Sequence, residues 1–194
     1  MDTIASQFSQ QRYVFLRSLL EAPQTMSLYD YAVTLIRGIQ WISDEQVPDT
    51  PALYGEHHME ELLVTMLPQI EEASGLSLYP TYSYLRVYKR GDVLARHRDR
   101  PACEISVSLN LGYEADAAWP LWIEGPTGVS SHRMQPGDAL LYHGIECDHW
   151  RDAFAGQRAA QVFLHYVDRN GLSAEWKFDK REGWRVLKRL SHIH

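Results

Sequence analysis

The chain has 194 residues, 45% hydrophobic and 23% charged, which suits one domain with a sizeable core and excludes a disordered chain. A formal net charge of −6 without long basic runs gives no reason to expect a nucleic-acid partner. No apolar run approaches the ~20 residues that cross a bilayer, and Met1–Gln7 carries an acid and no basic segment, so a cytoplasmic protein with neither membrane anchor nor secretory signal is expected. Two cysteines, Cys103 and Cys147, are too few for a disulfide scaffold or a Cys-rich zinc site and read as buried free thiols.

The hydrophobic period is helical up to residue 76. Apolar spacings of three and four predict helices over Tyr13–Leu20 and Leu28–Trp41. A loop with two prolines covers 43–51. An amphipathic helix follows over Glu56–Ala73, with Met59, Leu62, Leu63 and Met66 on one side and Ser74-Gly75 as its stop. From residue 77 the pattern is strand-like. Thr81–Lys89 ends in the turn Arg90-Gly91-Asp92, and Glu104–Leu111 alternates apolar with polar residues. Trp119–Glu124, Ala139–Tyr142 and Arg158–Val167 complete the strands, separated by turns such as Gln135-Pro136-Gly137-Asp138. The expected fold is α+β with a mainly β core, a jelly roll over 77–167. Residues 1–76 form helical support on one sheet and 168–194 a C-terminal extension, all one domain.

His97-Arg98-Asp99 carries the chemistry. On extended chain, residues two apart project to one face, so an imidazole and a carboxylate converge. His58-Met59-Glu60 has the same spacing but sits in a helical pattern, which splits the pair. Two histidines and one carboxylate form the facial triad of non-haem iron(II) oxygenases. The second histidine must come from a distant strand, and His132, His143, His149 and His165 are available. His149 is preferred and His143 is its rival. If the Phe154-Ala155-Gly156 turn makes a hairpin, Arg158 becomes a cross-strand neighbour of His149. An arginine there suits the distal carboxylate of 2-oxoglutarate, because its planar fork binds carboxylate bidentately. Arg151 is the alternative anchor.

Taken in order, Tyr88-x-x-Gly91-Asp92-x-x-x-x-His97-x-Asp99, then Pro136-Gly137-Asp138, then His149 with Arg158 nine residues on, resemble the 2-oxoglutarate/iron(II)-dependent dioxygenase superfamily, and within it the prolyl-4-hydroxylase-like branch. The resemblance covers roughly residues 80–167. It implies a double-stranded β-helix with His97, Asp99 and His149 as iron(II) ligands and Arg158 as the 2-oxoglutarate anchor. Tyr88 would add a hydroxyl to the cosubstrate, with Tyr82 and Tyr84 sharing its parity. It further implies an oxygenase that consumes 2-oxoglutarate and dioxygen, releases succinate and carbon dioxide, and hydroxylates a C–H bond of a small-molecule or peptidyl substrate. Asp99 sets the chain apart from halogenases, which lack the carboxylate. The competing reading is a cupin-like jelly roll that binds a metal or small ligand without 2-oxoglutarate chemistry.

Overall fold

Ten strands and three α-helices are arranged around two antiparallel sheets in a computed structural model that describes residues 3–181. Residues 182–194 of the expected C-terminal extension lie outside the described residues. The chain opens with α1 (Ile4–Gln11), β1 (Tyr13–Leu16), α2 (Ala22–Gly38), β2 (Ala52–Tyr54) and α3 (His57–Ser74). The strands β3 (Leu78–Lys89), β4 (Leu94–His97), β5 (Ile105–Glu114), β6 (Pro120–Gly125), β7 (Gly128–Arg133), β8 (Ala139–His143), β9 (Asp148–Arg151) and β10 (Arg158–Asp168) follow. The large sheet has the order β1-β8-β5-β10-β3-β2 and the small one β4-β9-β6-β7. This is the mainly β, two-sheet jelly roll that the change of period at residue 77 predicts.

Helix α3 is the clearest case of local sequence deciding structure. Glu56 caps its first turn by accepting from the His58 and Met59 amides. Gly75, at φ 72°, ends it with its N–H on the Glu71 carbonyl. The apolar stripe Met59, Leu62, Leu63, Met66, Leu67 and Ile70 is buried against Leu78, Leu85, Val87, Val162 and Leu164 of the large sheet. The Tyr166 hydroxyl donates to the Leu63 carbonyl at 2.8 Å. The helices therefore cover one face of the large sheet, and its other face meets the small sheet.

Tyr13–Leu16 is strand rather than helix. It pairs with β8 from Tyr13↔Tyr142 to Leu16↔Ala139, after Arg12 has ended α1 in the left-handed region at φ 64°. Four β-favouring residues at the free edge of β8 gain a ladder of hydrogen bonds, and over so short a stretch the helical spacing is ambiguous. The expected hairpin between the His149 strand and the Arg158 strand does not form either. β9 pairs with β4 and β6 in the small sheet, and β10 pairs with β3 and β5 in the large one. Among the described residues no helix is long and apolar enough to cross a membrane.

Candidate metal centre

The centre is built where β4 meets β9. His97, the last residue of β4, is the direct partner of His149 on β9, and their rings lie 4.2 Å apart, centre to centre. Asp99 follows in the loop, with its amide on the Gly144 carbonyl at 2.9 Å. His97, Asp99 and His149 thus offer three ligand atoms within 4.8 Å of one another. Asp99 Oδ1 is 3.7 Å from His97 Nε2 and 3.6 Å from His149 Nε2. Both distances are too long for hydrogen bonds. They suit donors spread around one cation, since ligands about 2 Å from a first-row ion and at right angles are about 3 Å apart.

Each imidazole is held by its other nitrogen. His97 Nδ1 lies 2.8 Å from the Ala95 carbonyl and His149 Nδ1 3.1 Å from the Cys147 carbonyl. A backbone acceptor at Nδ1 fixes the tautomer that leaves Nε2 its lone pair. Burial pushes the His149 pKa below its ordinary value, with Asp99 pulling the other way, and a neutral ring is the ligating form. His58-x-Glu60, by contrast, is split: Glu60 is buried under Ser83 and His58 is exposed. His143, the rival third ligand, stacks on Phe8 at 4.9 Å, and His132 packs against Tyr13 and Phe15. Neither joins the group.

Behind Asp99 lies a second layer, of which the residue pattern offered only His165. Ser106 Oγ donates to Asp99 Oδ2 at 2.9 Å, and His165 Nδ1 lies 2.9 Å from the same hydroxyl. Burial takes the His165 pKa down to about 4, so the ring is neutral at ordinary pH and its Nδ1–H can donate to Ser106. Cys103, a buried free thiol, sits 2.9 Å from the Tyr82 hydroxyl.

Arg158 does not reach this centre. On β10 the odd residues Gln161, Phe163 and His165 face the interior, whereas Arg158 shares parity with Ala160, Val162 and Leu164 on the helix-covered face. Its guanidinium pairs with Glu114 at 3.0 Å. Two other arginines do face inward. Arg86, on β3, lines a cavity of about 510 Å³ together with His97, Asp99 and His149. It is 2% exposed and paired with Asp44. Arg151, two residues beyond His149 on β9, is 1% exposed. It donates to the Trp119 carbonyl at 2.7 Å and to Gln161 Oε1 at 3.4 Å, and its Nε has no partner among the described residues. No acid among the described residues pairs with it, and burial lowers its pKa to about 10.

Tyr82, Tyr84, Arg86 and Tyr88 share one parity on β3. The Tyr84 hydroxyl is taken up by Asp44 and the Tyr82 hydroxyl lies against Cys103. Among the described residues the Tyr88 hydroxyl has one hydrogen-bond partner, Arg86, at 3.5 Å. Tyr88 and Arg151 both lie against the Trp119 ring, with centres at 4.9 Å in each case.

No protein-family model matches the sequence, and no curated protein matches it. Solved structures do match the fold. The epimerase SnoN in complex with Fe3+, alpha ketoglutarate and nogalamycin RO aligns with a TM-score of 0.75 at 11% identity, covering 93% of this chain and 89% of that one. A Pseudomonas putida prolyl-4-hydroxylase aligns at 0.69 and 14% identity, covering 86% and 98%. HygX from Streptomyces hygroscopicus, solved with nickel, 2-oxoglutarate and hygromycin B, aligns at 0.67 and 10% identity, covering 84% and 85%. The chain has the double-stranded β-helix fold of these oxygenase structures, as the order of its motif residues implied.

Proposed function

We propose that the chain is an iron(II)- and 2-oxoglutarate-dependent oxygenase of the hydroxylase type, with His97, Asp99 and His149 as metal ligands and Arg151 as the cosubstrate anchor in place of Arg158. The observation that carries the reading is the pairing of a converged His, Asp, His set with a buried arginine that has no acid partner among the described residues. An isolated buried cation is costly, and a dicarboxylate reaching inward from the metal would supply the missing charge. Solved structures of this fold hold iron with alpha ketoglutarate, or nickel with 2-oxoglutarate, which supports the same ligand pair here.

Iron(II) held there would supply oxygen activation coupled to oxidative decarboxylation of 2-oxoglutarate. The chain's own part is positional. Three protein donors leave the remaining coordination positions open. Arg151 would grip the distal carboxylate through the Nε that now lacks a partner, and the Tyr88 hydroxyl, the least engaged of the three on its strand, would add a donor. Hydroxylation of a C–H bond is the outcome we infer from the presence of Asp99, although structures of this fold include an epimerase as well as a hydroxylase. A cupin-like binder gives no reason for an acid-free buried arginine two residues past His149.

Anaerobic titration with iron(II) and then 2-oxoglutarate, following the weak visible charge-transfer band of the chelate, tests the proposal. Wild type should develop the band, and His149→Ala should not bind the metal. Arg151→Met should weaken 2-oxoglutarate binding by about 10- to 100-fold, the value of a hydrogen bond to a charged group, and Arg158→Ala should change it less than about twofold. The reverse result for the two arginines would restore Arg158 as anchor. Absence of the band in wild type would overturn the oxygenase reading.

A further inference from the structure

Arg86 and Asp44 present opposite charges side by side in the wall of the cavity that holds His97, Asp99 and His149. Arg86 lies over the Tyr84 ring at 5.2 Å, and its Nε is buried without a partner among the described residues. Asp44 comes from the loop before β2, accepts from the Val47 amide and the Tyr84 hydroxyl, and remains partly exposed. Burial would raise its pKa, but Tyr84, the Val47 amide and Arg86 together hold it below the usual carboxylate range. The pair is thus charged, and it is wetter on the aspartate side.

Such a pair contributes little to stability on its own, because desolvation offsets the attraction. Its charge balance does restrict what can bind. On the reading proposed above, the metal centre is already neutral: iron(II) and Arg151 balance Asp99 and the two carboxylates of 2-oxoglutarate. A substrate with one negative charge that displaced Asp44 from Arg86 would leave an aspartate unpaired, and a purely cationic one would strand Arg86. A molecule with both an ammonium and a carboxylate replaces one ion pair by two and leaves no charge uncompensated. Its carboxylate also gives Arg86 Nε the acceptor it lacks. The cavity of about 510 Å³ has room for a small molecule, with Tyr82 and Phe163 on its walls for apolar parts.

We propose that the substrate is a small zwitterion of the free amino-acid type, its carboxylate on Arg86 and its ammonium on Asp44. This rests on the oxygenase reading and adds the substrate class. The test uses the iron-loaded full chain with 2-oxoglutarate. Succinate release is measured with each of the twenty proteinogenic amino acids, and with the N-acetyl and carboxamide forms of each. At least one free amino acid should stimulate release, and both blocked forms of it should need concentrations at least about tenfold higher. Asp44→Asn should raise the KM for the free amino acid by a similar factor. The same variant should bind the N-acetyl form, a simple anion, more tightly than wild type does, because Arg86 then has no competing carboxylate. A merely structural Asp44 would not produce that gain. If the chelate band shows 2-oxoglutarate bound while free and blocked forms act alike, or no free amino acid acts, the zwitterion assignment is wrong and the oxygenase reading stands. If the band itself is missing, both fall.

Discussion

Asp99 is under two constraints. Its Oδ1 faces the two imidazoles and its Oδ2 accepts from Ser106, which His165 holds in turn. A carboxylate tied at one oxygen presents the other in a single direction, and such supporting partners typically contribute 10- to 100-fold in metal affinity. Ser106→Ala should therefore weaken iron(II) binding by about that factor without unfolding the chain, and Ser106→Thr should recover most of the loss; equal affinity in wild type and Ser106→Ala would show that the hydroxyl does not position the carboxylate. The His-x-Asp pair was legible because period two places both side chains on one face. Ser106 was not. In the alternation over Glu104–Leu111 the serines read only as the polar face of a strand, which says nothing of what they meet across the barrel. His165 stood among the four candidate histidines and read as a core or supporting residue, with nothing to say that it supports Ser106.

At the scale of elements, the turn between β8 and β9 matters most. Gly144 donates its N–H to the Glu104 carbonyl and accepts the Asp99 amide. A Cβ on it would overlap Asp99 Oδ2 and the Cys103 carbonyl oxygen. The glycine is there for close approach rather than for a left-handed backbone. Gly144→Ala should displace the Asp99 carboxylate and lower iron(II) affinity at least about tenfold, by analogy with loss of a supporting partner, while a distant open position such as Gly38 should tolerate alanine with no effect on the metal. Isothermal titration of the two variants checks this. The same stretch shows why the sequence put Arg158 beside His149 when the fold does not. Fixing register by the 154–156 turn assumes that neighbours in sequence pair in one sheet. Here the connection crosses between sheets, pinned by Phe154 N–H on the Asp92 carbonyl and Gln157 N–H on the Glu114 carbonyl, so Arg158 lands on the outer face. Arg151 shares the parity of His149 on one short strand, and that parity, visible in the sequence, is the signal that identifies an inward arginine.

Across the whole molecule the large sheet separates stability from chemistry. Its helix-covered face is an apolar layer centred on Leu63, Ile70, Val107 and Leu164. Its other face is lined with Tyr88, Asn110, Gln161 and His165, all buried. A fold that keeps polar residues in a buried barrel gives up stability there, and function is the usual reason. Arg151 is the extreme case, a charge held in the interior with only neutral partners among the described residues. Replacing it with Met fills similar volume and removes the desolvation cost, at the loss of one good hydrogen bond to Trp119 and one long one to Gln161. Buried ionic groups exchanged for apolar ones of similar size are often neutral or stabilising by about 1–4 kcal/mol. In the absence of metal and 2-oxoglutarate, Arg151→Met should therefore unfold in urea at a midpoint equal to or above that of wild type. Adding iron(II) and 2-oxoglutarate should raise the wild-type midpoint by linkage. The variant should respond to the metal as wild type does, and to the cosubstrate only at concentrations about 10- to 100-fold higher. A variant that is less stable by more than about 2 kcal/mol before any ligand is added would instead make Arg151 a structural residue, and its loss of 2-oxoglutarate binding would then carry no weight as evidence for an anchor.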